Sequence, residues 1–236
     1  MNSKQLSKRL QWIADSIIKY APKPTRLADI GSDHAYLPSY LAQGNYIEFA
    51  IAGEVVKGPY QSAIQEVNQH QLNDRIDVRL GDGYDVIHFE DKINTVSICG
   101  MGGGLIVDIL TRGQQIGHQP KLLALQPNVG ERIVRQWLND HHYQIIDEYI
   151  IQEKGHFYEM IIAQSNPNTK VTISDKELMF GPFLLQERND TFIEKWRNEL
   201  EKMKYILTSL QLSKKGDHTK ELEVKQTIKA IEEVIS

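Results

Sequence analysis

Apolar positions at the start of the chain follow a helical period. Leu6, Leu10, Ile13, Ile17 and Tyr20 recur at spacings of four and three, which predicts an amphipathic helix over 4–20. Pro22 and Pro24 end it. The pattern then changes to short apolar runs alternating with helical stretches. Strands are predicted at 26–31, 49–54, 76–81, 94–99 and 121–126, with helices such as 57–70 and 105–112 between them. Such alternation implies βαβ units around a parallel sheet. Two longer runs, 144–152 and 157–163, are separated only by the polar turn 153–156. That link is too short for a parallel crossover, so the pair is a hairpin. The predicted fold is α/β, a Rossmann-like doubly wound sheet closed by an antiparallel β hairpin. A dinucleotide dehydrogenase, whose sheet stays parallel, fits less well.

Beyond 163 the period changes again. Residues 165–170 (SNPNTK) are polar, contain Pro167 and read as a linker. Leu185, Phe192, Trp196, Leu200, Met203, Leu207 and Leu210 then repeat at helical spacings, as do Val224, Ile228, Ile231 and Ile235. The stretch 213–219 lies between them as a loop. An antiparallel, coiled-coil-like helical hairpin is expected. The chain therefore divides into a domain at 1–165 and a small all-α domain at 166–236.

Composition narrows the class. The 236 residues contain one cysteine, Cys99, so an internal disulfide is excluded and a reducing, cytoplasmic setting is expected. The N-terminus lacks the apolar core of a signal peptide. No apolar run reaches the roughly 18 residues a membrane helix needs. A soluble monomer is expected. The net charge of −4 conceals an asymmetry: 1–26 carry +5, 27–176 carry −8 and 177–236 carry −1. The basic N-terminus is either a solvated helix face or a phosphate-binding patch. The acidic middle argues against a protein that coats nucleic acid.

Candidate chemistry collects at strand ends. The first strand runs into Asp29-Ile30-Gly31-Ser32-Asp33-His34-Ala35. A glycine at such a turn lets the backbone approach a ligand. Carboxylates there repel pyrophosphate but suit a cationic amino-acid ligand, and the glycines of a dinucleotide site are missing. Glu54 closes the second strand, where an acid can bind both ribose hydroxyls. Asp82 follows the third and could accept from the exocyclic amine of an adenine. Singly, each reads equally as a cap or turn residue. Three acids at successive strand ends mark a ligand crevice.

The fourth strand enters Cys99-Gly100-Met101-Gly102-Gly103-Gly104, a loop that could pass close under a ligand. Cys99 reads as a buried thiol rather than a nucleophile. The fifth strand ends in Gln126-Pro127-Asn128. Amide side chains can pair with an adenine edge, whereas a plain turn fixed by Pro127 is the competing reading. The histidines lack metal-ligand spacing, so no metal is expected. His141-His142 reads as a solvated loop, and Trp12 and Trp196 as core.

In these motifs the chain resembles the bacterial TrmK family, the tRNA (adenine-22-N1)-methyltransferases. DIGSDHAYLP at 29–38, AGE ending at Glu54, GDG at 81–83, ICGMGG at 98–103 and LQPN at 125–128 carry the resemblance, which extends over essentially the whole chain. It implies a class I methyltransferase fold, S-adenosyl-L-methionine as cofactor and tRNA as substrate. On that reading Asp29, Gly31, Ser32, Asp33, His34, Leu37, Glu54, Asp82, Gly83, Gly100, Met101 and Gly102 bind the cofactor. Gln126 and Asn128 are placed at the target base as the catalytic candidates. Lys4, Lys8, Arg9, Lys23 and Arg26 are assigned to tRNA phosphates. The Asn-Pro-Pro-Tyr type motif of exocyclic-amine methylases is absent, and CGMGG stands in its place, which argues against N6 chemistry. The alternatives are methylation of a small molecule or protein, and an RNA-binding protein with a structural cofactor.

Overall fold

A computed structural model describes residues 3–168, 172–212 and 218–236. The end of the predicted linker and most of the predicted 213–219 loop lie outside the described residues. The strands are β1 (Arg26–Ile30), β2 (Phe49–Glu54), β3 (Ile76–Leu80), β4 (Thr95–Gly102), β5 (Leu122–Val129), β6 (Tyr143–Glu153) and β7 (His156–Ser165). They form one sheet in the order β3-β2-β1-β4-β5-β7-β6. The first five are parallel, and β7 runs antiparallel to both β5 and β6. This is the doubly wound sheet closed by an antiparallel hairpin that the alternation and the short 153–156 link predict.

Alternate residues along the strands feed two apolar layers. Leu27, Ala50, Leu122 and Ile162 face α1 (Lys8–Tyr20), α2 (Tyr36–Gln43) and α3 (Lys57–Gln69). Ala28, Ile51, Leu123 and Ile161 face α4 (Gly103–Gln115) and α5 (Glu131–Asp140). Helix α1 begins four residues later than predicted. The Ser7 hydroxyl accepts the Leu10 N–H and caps it there, while Leu6 still packs in the core.

The C-terminal helices are α6 (Asp175–Phe180), α7 (Pro182–Glu187), α8 (Asp190–Leu212) and α9 (His218–Ile235). Contacts of Lys204 with Glu232 and of Gln211 with Glu221 make α8 and α9 an antiparallel pair. Phe180, Leu184, Phe192, Trp196, Leu200, Ile231 and Val234 form a third core with Ile150 of β6. A buried charge network fastens this part to the sheet. Arg135 of α5 is fully buried and donates to Glu148 of β6 at 2.7 Å and Glu159 of β7 at 2.5 Å. Lys195 of α8 reaches Glu159 at 2.6 Å and Glu131 at 2.7 Å. Glu148 also accepts the Phe183 N–H at the start of α7.

Candidate functional site

Strand order reverses direction between β1 and β4, and the crevice outside their carboxyl ends is where open α/β sheets take ligands. Glu54 and the turn after Asp29 meet there. Gly31 has φ +70, and after Ser32 the backbone is left-handed again at Asp33, His34 and Ala35, with φ 35, 70 and 55. Left-handed backbone is costly for residues with a Cβ, yet here it aims the Asp33 N–H at Glu54 Oε1, 2.5 Å away. Glu54 is only 6% exposed, and burial raises its pKa. A side chain at Gly31 would push the Met101 methyl end aside and would sit on left-handed backbone. His34 stacks on Tyr36 with centroids 5.1 Å apart.

Asp29 lies beneath this turn. Its oxygens accept the hydroxyls of Ser32 and Ser97, both at 2.6 Å. Burial pushes its pKa up to about 6 against those two hydrogen bonds. Ser97 carries no motif and was not anticipated. The Leu37 side chain is buried in the apolar layer under α2.

The glycine-rich loop is partly strand. β4 continues to Gly102, and its pairing with β5 shifts register between Cys99 and Met101. Gly100, at φ +76, is the bulged residue. A bulge strips ladder partners from the backbone, and two amides replace them. Gln126 Oε1 accepts the Gly100 N–H at 3.1 Å, and Asn128 Nδ2 donates to the Gly100 carbonyl at 2.7 Å. Gln126 is 1% exposed. Its Oε1 also accepts from Arg9 at 3.0 Å, and its Nε2 donates to Pro127 O and Asn128 Oδ1. All four positions of the amide are thus used, and Gln126 holds the bulge. Asn128 is exposed and retains a donor and an acceptor. Nor does Pro127 make a turn, since β5 runs through it to Val129. Above Gly100, Gly102 and Gly104 an added Cβ would meet nothing within 4 Å, so this side of the crevice is open.

Asp82 is not a lone acceptor. Arg112 of α4 grips its carboxylate with two hydrogen bonds, 2.8 and 3.1 Å, and holds its pKa below the usual range. Arg112 lies 30 residues away, and nothing in the sequence marks it. Gly83, at φ +58, packs closely against Ile109 and Arg112. Burial and nearby Asp29 push the Cys99 thiol well above its ordinary value, so it stays protonated.

Beside the crevice, a cleft of about 1180 Å³ opens between the sheet ends and the helical pair. Gly100 and Asn128 lie on its inner wall. Tyr158 and Phe157 of the hairpin, Arg9 of α1, and Lys195, Trp196 and Met203 of α8 are among its other lining residues.

The basic N-terminal residues do not form one strip. Lys8 is exposed, near Glu153, and Arg9 is half-buried beside Gln126. Lys23 and Arg26 sit at the amino ends of the strands, on the opposite rim. Lys23 donates to Tyr46 O, while Arg26 is bound to Glu48, to Asp91 O and to the Phe49 ring. Lys4 is exposed, in the segment before α1. Among the described residues there is no cluster suited to a metal ion, and no helix long and apolar enough to cross a membrane.

The family model for TrmK, tRNA (adenine(22)-N(1))-methyltransferase, matches residues 27–233. A Bacillus subtilis tRNA (adenine(22)-N(1))-methyltransferase is 37% identical over the whole of this chain and 99% of its own. A Streptococcus pneumoniae protein solved in complex with S-adenosyl-L-methionine is 38% identical, with a TM-score of 0.87 over 98% of this chain and 100% of that one. TrmK of M. capricolum, solved with S-adenosyl-homocysteine, is 30% identical, with a TM-score of 0.83 over 98% and 97% of the two chains.

Proposed function

The chain belongs to the TrmK family of S-adenosylmethionine-dependent tRNA (adenine(22)-N(1))-methyltransferases, and from that premise we propose how its own residues divide the work. The enzyme methylates N1 of adenine 22 in tRNA. The crevice suits the cofactor chemically. Buried carboxylates converge on it, and Gly100, Gly102 and Gly104 leave it open. Glu54 holds the ribose hydroxyls, Asp29 and Asp33 supply negative charge for the cationic amino-acid end, and Asp82, steadied by Arg112, marks the adenine side. When bound, the cofactor supplies the electrophilic methyl carbon.

The target nitrogen is unprotonated at neutral pH, so no general base is required and alignment supplies most of the catalysis. The base leaves its stack to expose its Watson–Crick edge, enters the cleft and meets the spare donor and acceptor of Asn128. The acidic body favours the cationic product ring. Lys8 and Lys4 meet tRNA phosphates on the cleft side. Lys23 and Arg26, on the far rim, are left out of that surface. The enzyme works in the cytoplasm as a monomer, with 1–165 as catalytic domain and 166–236 as helical domain.

The observation that carries this reading is Glu54: a buried carboxylate at the switch-point crevice, oriented by the Asp33 N–H. Glu54→Ala is expected to weaken cofactor binding about tenfold or more, the worth of a charged hydrogen bond. Calorimetry showing unchanged affinity would remove Glu54 from the site.

A further inference from the structure

Arg9 stands where the cleft meets the glycine loop. From the first turn of α1 its Nη1 donates to Gln126 Oε1 at 3.0 Å, and its Cζ lies 4.9 Å from the centroid of the Tyr158 ring. The same Gln126 oxygen accepts the N–H of the bulged Gly100 at 3.1 Å. Arg9, Gly100 and Tyr158 all line the cleft. One carbonyl oxygen thus joins a cleft side chain to the backbone bordering the methyl donor. Lys8, the neighbouring residue, is exposed. Adjacent residues on a helix point in different directions, and these two have different surroundings.

This is not the geometry of a phosphate contact. The guanidinium is half-buried, one face lies over an aromatic ring, and its edge is committed to an amide that is itself saturated. We propose that Arg9 is a positioning residue for methyl transfer. It fixes Gln126, and through Gln126 the Gly100 bulge, so that donor and target base meet in line. Without Arg9, Gln126 loses one of its four partners and the amide can turn. The bulge then loses its fixed N–H acceptor. Small misplacements of reacting groups are costly in rate: about 1 Å can cost on the order of a hundredfold. A lysine cannot stack a planar group on Tyr158 and donate from its edge together.

The proposal rests on the reading that the Gly100 loop borders the methyl donor, and the test separates the two. Full-length R9A, R9K, K8A and G100A are compared with wild type. The readouts are single-turnover methylation of unmodified tRNA at saturating substrates, tRNA affinity across a salt series, donor affinity and melting temperature. R9A is expected to slow methyl transfer about tenfold or more, with donor affinity, tRNA affinity and salt slope close to wild type. R9K is expected to fold normally and recover only part of the rate. K8A is expected to weaken tRNA affinity and flatten the salt slope, the signature of a lost phosphate contact. A flattened slope with a normal rate in R9A would make Arg9 a phosphate contact and overturn the proposal. So would R9K at the full wild-type rate, or an R9A rate loss that merely follows lost melting temperature and donor affinity. Unchanged donor affinity in G100A would instead overturn the reading of the loop.

Discussion

At the scale of single residues, the site holds charge where burial opposes it. Asp29 is 4% exposed, and its pKa stands at about 6 rather than 3.8. As pH rises through that window, the unfolded chain releases this proton before the folded one does. The folded state therefore binds more protons, and stability falls as pH rises. Above pH 6 the penalty is complete, on the order of 3 kcal/mol. Asp29→Asn should thus raise the melting temperature at pH 8, with little gain at pH 4, while weakening cofactor binding. Melting curves across that range decide it, and a variant less stable than wild type at pH 8 would contradict the account. Asp29 and Glu54 were legible because an acid at a strand end is a local pattern. Arg112 and Ser97 were not, since only the folded register brings them to Asp82 and Asp29. Gln126 and Asn128 read alike in sequence. The bulge at Gly100 is what consumes one amide and leaves the other with spare capacity.

Among elements, the strands were read closely because each is a short apolar run between polar turns. The misses have physical causes. Ser7 caps α1 after the point where its apolar period begins. The helical period read from Leu185 onward is broken at Arg188, whose φ of 44 ends α7 before α8 starts. The charge network joining α5, β6, β7 and α8 was invisible, because its members are far apart in sequence. Arg135 is the shared partner of Glu148 and Glu159, all buried. Removing one member of a buried ion pair leaves uncompensated charge and costs about 3–5 kcal/mol. Arg135→Met should destabilise the protein by that amount in urea unfolding. Lys195→Met should cost less, since Glu159 keeps Arg135. An unchanged midpoint for Arg135→Met would show that the network holds nothing together.

Over the whole molecule, two arrangements bear on tRNA. The first is charge placement. Helix α1 carries Lys8 near the carboxyl ends of the strands, while Lys23 and Arg26 fall on the opposite rim. Charge reversal at Lys8 should reduce the slope of log affinity against log salt by about 1 to 2, at roughly one unit per phosphate contact, whereas reversal at Lys23 should leave it unchanged. Equal slopes for both variants and wild type would make the basic N-terminus a solvated surface.

The second arrangement is reach. Helix α8 has 23 residues, about 35 Å at 1.5 Å per residue. Its buried positions, Phe192, Trp196 and Leu200, lie in its first half. The distal part is free of that core and extends past the cleft. Replacing 205–225 by a short turn should therefore spare folding and cofactor affinity while lowering kcat/KM for tRNA about tenfold or more, the loss expected when binding interactions remote from the reacting base are removed. Full activity in that variant would show that the distal hairpin plays no part in holding tRNA.

The measurement that reaches the central claim most directly is to map the methylated nucleoside. The full-length protein is incubated with labelled S-adenosyl-L-methionine and either unmodified tRNA or the same tRNA with guanine at position 22. The account predicts label on N1 of adenine 22 in the first and no label in the second. Label at another position or on N6, or equal labelling of both tRNAs, would contradict it.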